Sequence, residues 1–362
     1  MKLLLVSPKT EQSKGGIAVW TDAFLAHCSQ YDIDCDLLNI ATIGARARQG
    51  NARRNFKDEF IRTKSIFRNL CAMLRNVDYD VAHVNTSCGT FGLMRDYFMV
   101  RKIKRKQPDC KTVLHFHCDI ETQCSSRISL LFLSRIVKMS DQILVLNERN
   151  ALFLRESYGG SCHIVPNFID SNLVRADEKT ISPVIKEALF VGYVRPEKGI
   201  RELYALAQSF PDVTFRLIGE VHDEVARWTK PDNVVLCGKK AHADILSEMD
   251  RADVFVFLSH SEGFSIALLE AMARGLPCIA SDVGANREML ENAGGVIVSA
   301  GDVVEIIAAV EKMTDFQKRK SASEWNLQKV LNCYTSETAM EHLKQIYENQ
   351  TTETQRKALL QL

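Results

Sequence analysis

Residues 253–282 read DVFVFLSHSEGFSIALLEAMARGLPCIASD, and this stretch decides the fold. Its ends, DVFVFLS (253–259) and PCIASD (277–282), are short apolar runs that suit strands buried on both faces. Between them, SEGFSIALLEAMARG (261–275) reads as a loop followed by a helix that begins near Ser265. A buried strand, a helix and a second buried strand make a parallel crossover unit.

The same rhythm recurs along the chain. KLLLVSP (2–8), DCDLLNI (34–40), DVAHVNT (80–86), TVLHFHC (112–118), QILVLN (142–147) and CHIVPN (162–167) form one set of six apolar runs with helix-like segments between them. A polar stretch, DSNLVRADEKTISPVIK (170–186), has the features of a linker. A second set follows: ALFVGY (188–193), TFRLIG (214–219), NVVLCG (233–238), DVFVFLS, PCIASD and GGVIVSA (294–300). We therefore expect two doubly wound α/β domains facing one another, over 1–169 and 187–330, with a hinge at 170–186 and helices over 331–362 packing back on the first domain. In open parallel sheets the ligand sits beyond the carboxyl ends of the strands, so two facing sheets point to a site in the cleft between them.

The composition is that of an ordinary globular protein, with 362 residues, 46% hydrophobic and 25% charged content. The opening MKLLLVSPKT is too short in its apolar run for a secretory segment, and no stretch approaches the roughly 20 apolar residues of a spanning helix. Eleven cysteines, odd in number and never spaced as CxxC, fit reduced thiols in a cytoplasmic compartment. Residues 1–170 hold 24 Lys and Arg against 17 Asp and Glu, so a net +1 chain divides into a basic first part and an acidic remainder. The basic stretches ARARQGNARRNFK (45–57) and RKIKRK (101–106) fit peripheral contact with an anionic membrane, the alternative being solvated surface. Nothing in the sequence points to nucleic acid.

Candidate chemistry lies at the strand ends. After the first strand, Gly15 and Gly16 precede a helix from about Ile17, where bare backbone N–H groups and the helix start favour a phosphate. A plain helix-entry turn fits equally well, and the absence of GxGxxG argues against a dinucleotide. TVLHFHC places His115 and His117 on one strand face, His115 as a structural residue and His117 at the carboxyl end; zinc held by these with Cys118 and Cys124 matches no common spacing. Asp32, Asp34 and Asp36 resemble a metal–diphosphate motif but fall at the amino end of their strand and read as surface. In FVGYVRPEKGI (190–200), Arg195 and Lys198 lie in the loop after the second domain's first strand, where cations would meet a phosphoryl group; an isolated RxxK otherwise reads as solvated charge.

The two acids of the opening stretch need partners, because a carboxylate set into apolar surroundings is costly unless paired or hydrogen-bonded. Glu262 falls in the strand-end loop beside the helix start formed by Gly263, Phe264, Ser265 and Ile266, with no cation evident nearby in sequence. Glu270, a turn and a half deeper, has Arg274 four residues on, the favourable orientation for a helix ion pair.

Taken in order, KGGIAVW, DYDVAHVNT, TVLHFHC, IVPNFID, FVGYVRPEKGI, EGFSIALLE with EAMARGLPCIASD, and GANREML resemble the family 4 retaining glycosyltransferases, with their Glu-x7-Glu signature. The resemblance spans nearly the whole chain and implies the two-domain GT-B fold. It implies that Glu262 contacts the donor sugar hydroxyls, that Gly263, Phe264, Ser265 and Ile266 bring backbone to the diphosphate and sugar, and that Glu270 grips the ribose. Arg195 and Lys198 would neutralise the departing diphosphate, Gly15 and Gly16 would approach it, His117 would lie near the transferred sugar, and Lys239 belongs to the loop that holds the base. Two departures stand out: Tyr193 occupies a position commonly held by Arg, and Phe168 one often held by Gly.

The function implied is transfer of a sugar from a UDP- or GDP-sugar to a hydroxyl acceptor, with retention and without a metal or other cofactor, in bacterial surface polysaccharide or glycolipid assembly. The partners are then the nucleotide sugar and a saccharide or lipid-linked saccharide. A nucleotide-sugar epimerase of similar fold and a non-catalytic nucleotide-sugar-binding protein are the alternatives.

Overall fold

The computed structural model describes residues 1–10, 15–41, 56–291 and 293–348. All twelve apolar runs form strands, every pairing between neighbours is parallel, and the chain divides into two compact units.

The first unit comprises residues 1–166 and 336–362. Its sheet holds β1 (Lys2–Ser7), β2 (Asp34–Asn39), β3 (Val81–Thr86), β4 (Lys111–Phe116), β5 (Gln142–Val145) and β6 (His163–Ile164), in the order β2-β1-β3-β4-β5-β6. Leu3, Leu4, Leu5 and Val6 are wholly buried, as their unbroken run requires of a central strand covered on both faces. Each such side chain contributes about 1.5–3 kcal/mol by leaving water. The three aspartates sit at the amino end of β2: Lys2 Nζ reaches Asp34 and Asp36 at 3.0 Å each, and Tyr79 Oη donates to Asp36 at 2.9 Å. They are a surface charge cluster, and Asp32 takes the left-handed turn that precedes the strand.

The helix Ser336–Tyr347 belongs to this unit although residues 167–335 precede it. It buries Met340, Leu343, Ile346 and Tyr347, and Tyr347 Oη meets His83 Nδ1 at 2.6 Å. Lys344 adds an ion pair to Asp32 at 3.2 Å.

The second unit, residues 167–335, carries β7 (Glu187–Val191), β8 (Thr214–Ile218), β9 (Val234–Gly238), β10 (Val254–Phe257), β11 (Cys278–Ser281) and β12 (Gly295–Val298). Their order, β12-β11-β10-β7-β8-β9, is that of the dinucleotide-type doubly wound sheet. The stretch read as a linker is bound into this unit. Arg175 N donates to Ala273 O at 2.8 Å, Lys179 Nζ to Met249 O at 3.1 Å, and Arg319 Nη2 to Ser182 O at 2.5 Å.

The two doubly wound units are those of the GT-B fold class. Among the described residues no helix is long and apolar enough to cross a membrane. The basic stretch 45–57 falls mostly outside the described residues, whereas 101–106 ends the helix Thr90–Lys106. The cysteine reading needs one correction: Cys88 and Cys118, after β3 and β4, are joined as a disulfide where reduced thiols were expected. No local spacing could signal this, because the two residues are 30 positions apart and meet only when β3 and β4 pair.

Candidate active site

In the second sheet β7 lies between β8 and β10, so the strand order reverses between β7 and β10, the position at which open α/β sheets bind ligands. The loops that leave these two strands are tied together. His260 N donates to Glu197 O at 3.0 Å, and Ser259 Oγ reaches the same carbonyl at 3.5 Å. Gly199, at φ 73°, packs so closely on the Leu258 carbonyl that a Cβ there would overlap it. The glycine of PEKGI is therefore what allows the two loops to touch.

This contact brings Lys198 to Glu262. Lys198, ending a 3-10 turn (Pro196–Lys198), forms an ion pair with Glu262 Oε1, and the two side chains are 18% and 15% exposed. No cation near Glu262 is evident in the sequence. Its partner was invisible in sequence because it stands 64 residues away and arrives through strand pairing rather than helix spacing. Lys198 Nζ also lies 5.7 Å from the centre of the Phe257 ring, a placement that favours a cation.

Arg195 is not gathered into this group. Its side chain is 46% exposed, lies over the Tyr193 ring at 5.6 Å, and reaches Glu197 at 3.7 Å. Lys239, just beyond β9, is paired with Glu220 at 2.5 Å. The helix after Glu262 runs Ile266–Ala273 with Ser265 as its N-cap, Ser265 Oγ accepting from Leu268 N at 3.2 Å. This cap leaves the helix-start amides at the strand-end face, as the sequence pattern predicts. Gly263 O accepts from Ala285 N at 3.1 Å, and Phe264 is buried against Tyr334 with ring centres 5.4 Å apart. Phe264 therefore anchors the loop by its side chain.

Glu270 also has a partner other than the one expected. Arg274 turns away to grip Asp250 with two hydrogen bonds of 2.8 and 2.6 Å and donates to Leu173 O at 3.0 Å. Glu270 Oε1 is met by His242 Nε2 at 2.7 Å. This contact raises the pKa of His242 above the ordinary imidazole value, because the hydrogen bond to the carboxylate favours the charged ring. The preference for i,i+4 pairing loses here because the half-buried Asp250 offers Arg274 a bidentate fit worth more than a single helix contact.

In the first sheet the order reverses between β1 and β3. The helix Gly16–His27 starts there with Gly15 as N-cap at φ 133°, and nothing lies within 4 Å of where a Cβ would stand on Gly15. Around this end runs a polar chain: Ser7 Oγ with Thr21 Oγ1 at 2.5 Å, Asn85 Nδ2 to Ser7 Oγ at 2.9 Å, and His117 Nε2 with Asn85 Oδ1 at 3.0 Å. Trp20 packs among His83, His115 and His117, with ring centres 5.3, 5.5 and 5.3 Å away. Burial pushes the His83 pKa down to about 3 and that of His115 well below the usual range, so both rings are neutral near pH 7.

His115 is the structural residue expected, and His117 follows the last residue of β4. Of the cysteines weighed with these histidines for zinc, Cys118 is bonded to Cys88 and Cys124 Sγ points to Cys88 O at 3.7 Å. Among the described residues no group of three His, Cys, Asp or Glu is placed to hold a metal ion. Sequence reasoning missed Asn85 and His242. Asn85 had a usable signal, a polar residue at the carboxyl end of β3; His242 had none, because nothing local links positions 242 and 270.

Residues 178–328 match the family model described as glycosyl transferases group 1. Over 168 residues the chain is 30% identical to a glycogen synthase of Mycobacterium tuberculosis, covering 42% of this chain and 41% of that protein. Over 164 residues it is 30% identical to the lipopolysaccharide core biosynthesis mannosyltransferase LpsB of Rhizobium meliloti, covering 40% and 46%. The chain thus spans less than half the length of these two relatives. Similar solved structures extend over nearly all of it. A sucrose-phosphate synthase from Thermosynechococcus elongatus superposes with TM-score 0.78 at 18% identity, covering 96% of this chain and 98% of its own. The Anabaena protein HepE in complex with UDP and glucose gives 0.72 at 18% identity, covering 96% and 100%. Residues 178–328 therefore carry the group 1 glycosyl transferase pattern on a fold that nearly all of the chain shares with these structures.

Proposed function

We propose that the chain transfers a sugar from a UDP- or GDP-sugar to a hydroxyl acceptor with retention at the anomeric carbon, and without a metal. The observation that carries this reading is the Lys198–Glu262 pair at the point where the second sheet reverses its order, inside the segment that matches group 1 glycosyl transferases. Before the donor binds, each charge neutralises the other. An arriving diphosphate competes for Lys198 and frees Glu262 to accept from sugar hydroxyls, so one substrate satisfies both groups. Lys198, assisted by Arg195 and the amides at the start of the helix Ile266–Ala273, then stabilises the charge that develops on the leaving diphosphate.

Gly263, Phe264, Ser265 and Ile266 supply backbone beside the donor, Glu270 accepts from the ribose, and Lys239 belongs with the base. Gly15, Gly16 and His117 are the first unit's share of the reaction. Similarity to a capsular polysaccharide biosynthesis glycosyltransferase of Staphylococcus aureus, alongside the lipopolysaccharide core enzyme above, supports a saccharide or lipid-linked acceptor in surface polysaccharide or glycolipid assembly.

The test is a panel of nucleotide sugars scored for binding and slow hydrolysis, with NMR reading the first-formed anomer. The expected result is hydrolysis of one UDP- or GDP-sugar that persists in EDTA and releases the donor's own anomeric configuration. The inverted anomer would overturn retention; epimerised donor, or binding with no release, would favour the epimerase or the non-catalytic binder.

We also propose peripheral contact with anionic membrane through the first unit. Arg101, Lys102 and Arg105 line a groove of about 500 Å³ with Phe67 and Phe98. Stronger co-sedimentation with phosphatidylglycerol vesicles than with phosphatidylcholine ones is expected, and equal sedimentation would end the idea.

A further inference from the structure

Helix Ile266–Ala273 is apolar apart from Glu270, with Leu268, Leu269, Ala271, Met272 and Ala273 all buried. The Glu270 side chain is 12% exposed, so its carboxylate has lost most of its water and its direction is set by what it bonds. Arg274, one turn on, is committed to Asp250 and the Leu173 carbonyl. The group that reaches Glu270 comes from another element. His242 is the first residue of the helix His242–Arg251, which follows β9 and the Lys239 loop. Its side chain is 53% exposed, so it stands at the rim with its Nε2 turned inward to Glu270.

We propose that His242 is a positioning residue for the nucleotide: its Nε2–H donates to Glu270 Oε1 and holds the carboxylate in the orientation that accepts from the two ribose hydroxyls. The inference rests on the reading of Glu270 as the ribose contact. An ionised carboxylate has about four acceptor sites, so one bond from His242 leaves enough for a vicinal diol. Without His242 the carboxylate keeps its charge but loses the bond that fixes its side-chain torsions, and the ribose must bear the cost of ordering it.

The experiment measures binding of UDP, GDP and inorganic pyrophosphate to the full chain by calorimetry, for wild type, His242→Ala and His242→Gln. Losing one hydrogen bond to a charged group is expected to weaken the preferred nucleoside diphosphate about tenfold in His242→Ala. Pyrophosphate, which has no ribose, should bind both proteins alike, and His242→Gln, whose amide also donates, should recover most of the loss. The 2′,3′-dideoxy form of the preferred nucleotide should bind wild type and His242→Ala equally.

An equal loss for pyrophosphate, or for the dideoxy nucleotide, would show general damage to the site and overturn the assignment. Unchanged or tighter nucleotide binding in His242→Ala would overturn it directly. If neither UDP nor GDP binds wild type, the reading of the second unit as a nucleotide-sugar site fails first, and the two failures are thereby told apart. Should His242→Ala not fold, His242→Leu, which cannot donate either, takes its place: weakening for the full nucleotide alone supports the role, and weakening for the dideoxy form as well, or for neither, removes it.

Discussion

The carboxyl ends of the two sheets are built from opposite chemistries. At the first, Ser7, Thr21, Asn85 and His117 form a hydrogen-bonded polar chain, and His83 and His115 are kept uncharged by burial. At the second, acids and bases stand in pairs: Lys198 with Glu262, and His242 with Glu270. A neutral network recognises hydroxyls through direction and shape, whereas exchangeable ion pairs suit a ligand that itself brings charge. The difference teaches which unit should answer to a diphosphate and which to an uncharged partner.

The strongest way to break this comparison is to remove one charge at the second end. Lys198→Ala should lower kcat/KM for the donor by about 10²- to 10³-fold, the loss of about 2.7–4 kcal/mol typical of one group that stabilises developing charge. Glu262→Ala belongs in the same range, while Arg195→Ala should cost less, because its side chain is half exposed and leans on Tyr193. Steady-state kinetics on the three variants decides the matter. A loss in Arg195→Ala as large as that in Lys198→Ala would mean that the Lys198–Glu262 ion pair does not mark the catalytic arrangement.

Much of this was legible in the sequence, and the boundary has a physical origin. All twelve strands could be read because a strand covered on both faces must be apolar along its whole length, as Leu3–Val6 and Val254–Phe257 are. The start of the helix at Ile266 was equally legible, since Ser265 is a capping residue placed just before an apolar run. Strand order was not, because which apolar run pairs with which depends on contacts between distant segments. The partner of each acid depends on that order. Glu262 finds Lys198 only because β10 lies beside β7, and the local rule that assigned Arg274 to Glu270 could not see Asp250. The Cys88–Cys118 pairing was hidden for the same reason.

The comparison also predicts a smaller effect that belongs to the first unit, where burial likewise lowers the pKa values of His163 and His342. His83 and His115 have folded pKa values depressed by burial, to about 3 for His83, whereas an unfolded histidine titrates near 6.5. As pH falls below about 6.5 the unfolded chain takes up protons that the native chain refuses, so stability is fully present above that pH and is lost as pH drops toward 3. Each such histidine contributes a slope of up to about 1.4 kcal/mol per pH unit. His242 works in the reverse sense, because its raised pKa adds stability below about 6.5 that is lost as pH rises through the folded value; its exposure keeps that contribution small. Thermal unfolding followed from pH 7.5 to 5.5 should therefore show a falling midpoint, and His115→Leu should flatten part of the fall. NMR of labelled histidines should show the His83 and His115 rings unprotonated throughout this range, while His242 titrates above the ordinary imidazole value. Protonation of His83 or His115 near pH 6 would abolish the distinction between a neutral end and a charged one, and with it the argument that the first unit handles an uncharged partner.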